Sequence, residues 1–147
     1  VDDRRGPMAT LTRNDCGRFE ARWVDLSVTA GDCVFLAGID AMQLPVAHAE
    51  GKFVCRDAES LAKLESDGRL VLRYSDSSAS GEVSYPANPN GSQGDVAGIC
   101  DATGRVLGLM PHPERFVDLT QHPQWTRRSE STVDGLRIFE NAVRYFL

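Results

Sequence analysis

The segment "VAGICDATGRVLGLMPHPER" most constrains the fold, because two short apolar runs are joined by a tight turn and followed by two prolines. The runs flank "DATG" at 101–104, where Gly104 can adopt a positive φ as a bulge residue. This arrangement predicts a β-hairpin. Pro111 and Pro113 lack amide protons and disfavour helix for the residues before them, so they keep the following segment extended, at the end of its hydrogen-bond ladder.

Short strands and helices alternate along the rest of the chain. Apolar, aromatic and β-branched residues predict strands at 18–28, 33–39 and 69–75, and two extended pieces within 44–55 that are broken near Gly51. The polar segment at 75–82 predicts a turn, and the Pro-, Asn- and Gly-rich segment at 85–95 predicts a surface loop.

Two helices are predicted. The first is capped by Asp57, runs through Leu61 and Leu64, and ends at Gly68. The second helix is C-terminal, with Ser131 or Thr132 as its cap. Its helical spacing predicts an amphipathic helix packed on a sheet, with an apolar stripe of Leu136, Phe139, Val143 and Phe146.

Composition excludes several classes of function. The 147 residues suit one core, and 16 Lys and Arg against 21 Asp and Glu give a net charge of −5, with no basic run for nucleic acid. No apolar stretch approaches the roughly 20 residues that cross a bilayer, and the N-terminal "VDDRRGPMATL" lacks the features of a signal peptide. We therefore expect a cytoplasmic protein that binds neither nucleic acid nor membrane.

The four cysteines form no CxxC pair and no compact disulfide framework. They are predicted to be reduced and mostly packed thiols. The sequence therefore predicts no metal site.

His112 and Glu114 are the candidate catalytic residues. In an extended chain, residues i and i+2 project from the same side with Cα atoms about 6.5 to 7 Å apart, so these side chains can meet. A carboxylate that accepts from one imidazole nitrogen fixes the tautomer and leaves the other nitrogen to take a proton from a nucleophile. A surface ion pair in a proline-rich loop is the alternative interpretation of the same two residues.

Longer motifs carry a family resemblance. "YPANPNGSQGDVAGICDATGRVLGLMPHPER" resembles the C-terminal part of the glutaminase module of phosphoribosylformylglycinamidine synthase, a class I glutamine amidotransferase of purine biosynthesis. "RNDCGRFEARWV" at 13–24 resembles the family's segment after the nucleophile helix, "LPVAHAEGKF" at 44–53 its central strand and turn, and "DGLRIFENAVRYF" at 134–146 its closing helix. The resemblance covers the chain from about residue 10 onward.

The resemblance implies a Cys-His-Glu triad that hydrolyses glutamine through a glutamyl thioester and releases ammonia. His112 would be its base and Glu114 the residue that holds the imidazole. His48 would lie near the substrate glutamine, with a purely structural histidine as the alternative. The module would need no cofactor of its own, while ATP and magnesium would belong to the synthase partner that uses the ammonia.

The nucleophile of this family stands in a G-x-C-x-G pattern, which permits a sharp strand-to-helix turn. None of the four cysteines has that pattern: Cys16, Cys33, Cys55 and Cys100. The resemblance places the nucleophile before Val1, so residues 1–147 are expected to form a single partial domain that is inactive alone.

The implied fold is α/β, flavodoxin-like, with a largely parallel sheet, helices on both faces and its N-terminal part missing. We expect such a piece to be poorly soluble or partly molten, because strand edges and apolar helix-facing surface would be exposed.

Two other functions fit the sequence. The chain could be a catalytically inactive binding or regulatory subunit of a synthase, or a glutaminase module of another pathway. Arg115 either braces the loop or bonds a partner carboxylate, Trp125 is either packed or a partner anchor, and His122 is predicted to be a loop residue. For Asn88, Asn90 and Ser92 the interpretations are turn formation and contact with the partner or the ammonia route.

Overall fold

The computed structural model describes residues 6–29, 31–76, 83–128 and 132–147. A five-stranded sheet has the order β3-β2-β5-β6-β7, and β1 pairs with β4 in a separate two-stranded sheet. The elements are β1 (Ala9–Thr12), β2 (Glu20–Val28), β3 (Ala41–His48), β4 (Lys52–Cys55), α1 (Ala58–Ser66), β5 (Leu70–Ser75), β6 (Val96–Cys100), β7 (Leu107–Leu109) and α2 (Asp134–Phe146).

The α/β class is confirmed, but the pairing direction differs from the expected largely parallel sheet. Every strand pair in the described part of the chain is antiparallel. For β6 and β7 the reason is the short turn between Cys100 and Leu107, which reverses the chain between neighbouring strands. A parallel pair needs a longer crossover, usually a helix.

The predicted strands at 18–28, 44–55 and 69–75 and the predicted hairpin are confirmed as β2, β3 with β4, β5, and β6 with β7. Val24 and Leu26 of β2 lie opposite Leu44 and Met42 of β3, and these four side chains belong to the main buried core. Alternation along the strands therefore turns one set of side chains into the core.

The strand predicted at 33–39 is wrong. Val34–Leu36 form a 3-10 turn, in which the amide of Leu36 donates to Cys33 O at 3.1 Å and Ile39 donates to Leu36 O at 3.1 Å. Leu36 and Ile39 are nevertheless buried. Their apolar character reports burial, which a compact turn satisfies as well as a strand does.

Gly104 has φ +72° in the hairpin turn, as predicted. A Cβ on Gly104 would lie 2.0 Å from Asp32 O, and the amide of Val34 donates to Gly104 O at 3.0 Å. The hairpin turn therefore packs directly on the backbone of the 31–34 loop.

The first helix is confirmed as α1. The Asp57 side chain caps it by accepting from the amide of Ser60 at 2.7 Å, and Gly68 follows the helix with φ +66°. The hydrogen bonds from Ser60 and from Arg56 hold the pKa of Asp57 at about 2. The residues predicted to begin and to end this helix are therefore the ones that do so in the structure.

The C-terminal helix is confirmed as α2 and contacts β3, but the apolar stripe predicted for it is not the face that packs. All four members of the predicted apolar stripe are exposed, whereas Asp134, Gly135 and Ile138 are buried. The Asn141 side chain donates to Phe35 O at 3.0 Å and to Ala37 O at 2.9 Å. Glycine and amide contacts to backbone thus set the packed face, which hydrophobic spacing alone did not identify.

The predicted caps of this helix are not observed. Val133 occupies the N-cap position without a side-chain cap bond, so Thr132 is not the cap. Ser131 and most of the predicted turn at 75–82 lie outside the described residues.

We predict that the isolated chain self-associates at high concentration, because Phe139, Val143 and Phe146 are 42, 55 and 73% exposed on one helix. Sedimentation velocity and binding of a hydrophobic dye test this, with the triple variant F139S/V143S/F146S expected to reduce both signals. A monomeric wild-type sample with a sharp, cooperative thermal transition would contradict the prediction.

Candidate active site

The segment after β7 is fastened to two strands. The amide of Met110 donates to Ala97 O at 3.0 Å, and the amide of His112 donates to Pro45 O at 2.8 Å. Since β3 lies at the edge of its sheet, Pro45 is tolerated there without an amide proton, and its carbonyl is available to a segment outside the ladder. His112 is therefore positioned by the free edge of β3.

His112 is extended, with φ −101° and ψ 91°, but the residues after it are not extended as predicted. Pro113–Arg115 form a 3-10 turn in which the amide of Phe116 donates to Pro113 O at 3.0 Å. The fixed φ of proline suits the first position of a helical turn, which explains the difference. The turn still brings His112 and Glu114 together.

The predicted pairing of these side chains is confirmed, because His112 Nδ1 lies 2.7 Å from Glu114 Oε1. The His112 side chain is 31% exposed and that of Glu114 is 57% exposed. Burial raises the pKa of Glu114, but the hydrogen bond from His112 and the charges of His112 and Arg115 outweigh this, so the pKa lies below its ordinary value. Glu114 is therefore ionised and holds the proton of His112 on Nδ1.

The second ring nitrogen of His112 is open. In the described part of the chain, Nε2 has no hydrogen-bond partner, and none of the four thiols hydrogen-bonds to it. A neutral imidazole with Nδ1 protonated carries its lone pair on Nε2. The arrangement can accept a proton from a group brought to Nε2, which is the chemistry of a general base with its orienting carboxylate.

His48 ends β3 opposite Glu20 of β2, within a polar network. His48 Nδ1 lies 3.1 Å from Asn14 Oδ1, and Nε2 lies 3.4 Å from Asn90 Nδ2. Burial, reinforced by the nearby charge of His112, lowers the pKa of His48. The ring is therefore neutral near pH 7, with Nδ1 donating to Asn14. Nε2 has only a long contact to the Asn90 amide, whose two N–H groups have shorter hydrogen bonds to Gly51 O and the Tyr74 hydroxyl.

The predicted surface loop at 85–95 is partly buried, which corrects the expectation. Asn88, Asn90 and Ser92 are 6, 1 and 3% exposed. The Asn90 amide donates to Gly51 O at 2.8 Å and to the Tyr74 hydroxyl at 2.9 Å, and Ser92 Oγ accepts from the amide of Phe53 at 2.9 Å. These polar side chains shape the loop and also tie it to the β3–β4 turn.

A second polar cluster lies next to His48 on the same face of the β2–β3 pair, because Glu20 is directly opposite His48 in the register. The buried Glu20 carboxylate accepts from Arg22 Nε at 2.8 Å and from the Cys16 thiol at 3.3 Å, and Arg22 lies over the Tyr85 ring at 4.8 Å. Although burial opposes it, bonding to Cys16, Arg22 and Tyr85 lowers the pKa of Glu20. This charged pair secures the start of β2 next to His48.

His122 is confirmed as a loop residue, between the 3-10 turns Leu119–Gln121 and Trp125–Arg127, but it is buried. Its Nδ1 accepts from the amide of Gln124 at 3.0 Å, Nε2 donates to Gln43 Oε1 at 2.9 Å, and its ring lies 4.4 Å from that of Trp23. Burial and the charge of Arg128 lower the pKa of His122. It is a neutral structural histidine, and its aromatic neighbours Trp23 and Phe116 support the base of the Pro113–Arg115 turn.

Arg115 and Trp125, each of which had two interpretations from the sequence, are exposed. Arg115 Nε lies 3.9 Å from Glu114 Oε1, a contact that favours bracing of the pair, and Trp125 is 46% exposed. Among the described residues there is no cluster of three or more His, Cys, Asp or Glu side chains that could hold a metal ion. The same residues include no helix with the length and apolar character needed to cross a bilayer.

Comparison with known proteins defines the class. The domain family described as CobB/CobQ-like glutamine amidotransferase matches residues 2–146, and the chain belongs to this family. It is thus a glutamine amidotransferase domain whose His112 and Glu114 lie in hydrogen-bond contact.

Individual relatives show which glutamine amidotransferases the chain is similar to. The chain is 48% identical over 142 residues to phosphoribosylformylglycinamidine synthase subunit PurQ of Dehalococcoides mccartyi, covering 95% of this chain and 54% of the relative. It is 42% identical over 144 residues to the subunit PurQ of Archaeoglobus fulgidus, covering 95% and 51%. The human phosphoribosylformylglycinamidine synthase is 38% identical over 148 residues, covering 96% of this chain and 11% of that protein.

A solved structure agrees in fold. The structure of PurLQS from Thermotoga maritima matches with a TM-score of 0.68 and 30% identity, covering 95% of this chain and 53% of that one. The chain spans about half the length of the PurQ relatives that it matches.

We predict that Asn90→Ala strongly destabilises the fold. It leaves Gly51 O and the Tyr74 hydroxyl without this partner in a buried site, which costs about 1 to 3 kcal/mol for each group left unpaired. Urea denaturation measures the loss, with Ser66→Ala on the exposed end of α1 as a control expected to stay within about 0.5 kcal/mol. An Asn90→Ala midpoint equal to that of the control would refute the role of the network.

Stability is predicted to fall on mild acidification. The pKa values of His48 and His122 are lowered in the fold, so the unfolded chain binds more protons as the pH drops below about 6.5. The stabilisation is present above that pH and is lost as the pH falls through the lowered values. Urea midpoints at about pH 7.5 and 5.5 measure it, and His122→Gln should shrink the difference. Equal or higher stability at the lower pH would contradict the assignment.

Proposed function

We propose that this chain is the C-terminal part of a glutaminase that supplies ammonia to phosphoribosylformylglycinamidine synthase in purine biosynthesis. The observation that carries the proposal is the 2.7 Å contact between His112 Nδ1 and Glu114 Oε1, which leaves Nε2 open. The names of the PurQ relatives supply the pathway. Residues 1–147 form one partial domain in this proposal.

Hydrolysis of glutamine by this route requires a nucleophilic cysteine other than the four in this chain. His112 Nε2 takes the thiol proton, the thiolate attacks the side-chain amide carbon of glutamine, and the C–N bond breaks as His112 returns the proton to the leaving ammonia. Water then hydrolyses the thioester to glutamate. Glu114 keeps the imidazole in the required tautomer throughout both halves of the reaction.

His48 is proposed to lie near the substrate glutamine. Since the ring is held between the amide side chains of Asn14 and Asn90, its contribution would come from backbone groups at the end of β3. The ring itself would keep that backbone in place.

The partner is proposed to be the synthase subunit or domain that consumes the ammonia. ATP and magnesium belong to that partner, and the glutaminase domain needs neither. A cytoplasmic location fits the four free thiols of the chain.

The first test reads the gene upstream of the codon for Val1 for a G-x-C-x-G pattern and expresses the longer product. His112→Ala is expected to lower kcat for glutamine hydrolysis by roughly 10³-fold or more, since triad members act as a unit. Glu114→Gln is expected to lower it too, whereas Glu140→Gln, at an exposed position on α2, should leave it unchanged. Synthesis from added ammonia should survive every substitution.

The alternatives correspond to other outcomes of that test. A genuine start site near Val1, with no glutamine hydrolysis, would favour an inactive binding or regulatory subunit. Hydrolysis whose ammonia is accepted only by a different synthase would assign the module to another pathway.

A further inference from the structure

The amino end of α2 lies against the turn that carries His112 and Glu114. A Cβ placed on Gly135 would lie 2.0 Å from Pro113 O and 2.5 Å from Phe116 O. These oxygens belong to the backbone and cannot rotate away as a flexible side chain would. Only a glycine lets the helix approach the turn this closely.

The helix and the turn are also fastened to one stretch of β3. The buried Asp134 carboxylate accepts from the amide of Gln43 at 2.8 Å, and Pro45, two residues further along, accepts from the amide of His112 at 2.8 Å. Gly135 therefore closes a ring of contacts that runs from α2 to β3, from β3 to His112, and from the turn back to α2.

We propose that Gly135 is a positioning residue for the His112 and Glu114 pair, whose catalytic meaning rests on the proposed function. Pro113 lies between the two residues and has a fixed φ, so a displacement of its carbonyl is passed to both neighbours. Glycine weakens a helix relative to alanine, and its presence in the first turn of α2 is explained by this close approach. Because Gly135 has no side chain, α2 can lie against the turn. This close approach sets the distance between the turn and β3.

The test is the variant Gly135→Ala, with the pKa of Glu114 as the readout. The hydrogen bond from His112 lowers that pKa, so a displaced turn should let it rise toward the ordinary glutamate value. Carbon-13 NMR of the glutamate carboxyl groups follows the titration in the whole chain at low concentration, and His112→Ala marks the value for a fully broken bond.

Gly104→Ala is the matched control. A Cβ there would also lie 2.0 Å from a backbone oxygen, that of Asp32, but at the turn end of the hairpin, away from His112. It is expected to destabilise the fold without moving the pKa of Glu114. A merely structural role for Gly135 would give the same result as this control.

A second variant covers the case in which Gly135→Ala does not fold. Asp134→Ala adds no clash but releases the end of α2 from β3, and it is expected to raise the pKa of Glu114 by a smaller amount. An unchanged pKa in Asp134→Ala, or in a folded Gly135→Ala, would overturn the proposal. Since the readout uses neither glutamine nor a synthase, lack of glutaminase activity in the longer product would overturn the proposed function alone.

Discussion

The pairing of β2 with β3 is the constraint on which the rest of the structure depends. Its register runs without interruption from Glu20 opposite His48 to Ser27 opposite Ala41. It turns Leu26 and its neighbours into the core and sets the edge to which the segment after β7 is attached. A slip of one residue would reverse the faces of every side chain in the pair and move the carbonyl that holds His112.

Several contacts position the candidate site, and each of them is weak by itself. The turn supplies the imidazole and the carboxylate, the edge carbonyl of Pro45 fixes the backbone of His112, and α2 closes the turn from the side. The pair is partly exposed, so the electrostatic part of its hydrogen bond is screened by water and adds little to stability. Its value lies in defining which imidazole nitrogen is free, which is a chemical rather than a structural contribution.

Local patterns in the sequence predicted most of the elements and the pairing of His112 with Glu114. The cap by Asp57 and the positive φ of Gly104 were predicted correctly because each depends on one residue and its immediate neighbours. The 3-10 turn at Val34–Leu36 was missed because an apolar run reports burial and not backbone shape. The buried Asn90 and the close approach at Gly135 were missed because their partners are distant in sequence, although a glycine inside a helical pattern is a signal for such an approach.

The central claim is that this chain holds the base and the orienting carboxylate of a glutaminase triad, with Nε2 of His112 free. Nitrogen-15 NMR of the three histidines, at a pH where the imidazoles are neutral, tests it most directly. Our account predicts a proton on Nδ1 of His112 that is lost or exchanges faster in Glu114→Gln, while His122 carries its proton on Nε2 in both proteins. A proton on Nε2 of His112 in the wild type would contradict the account.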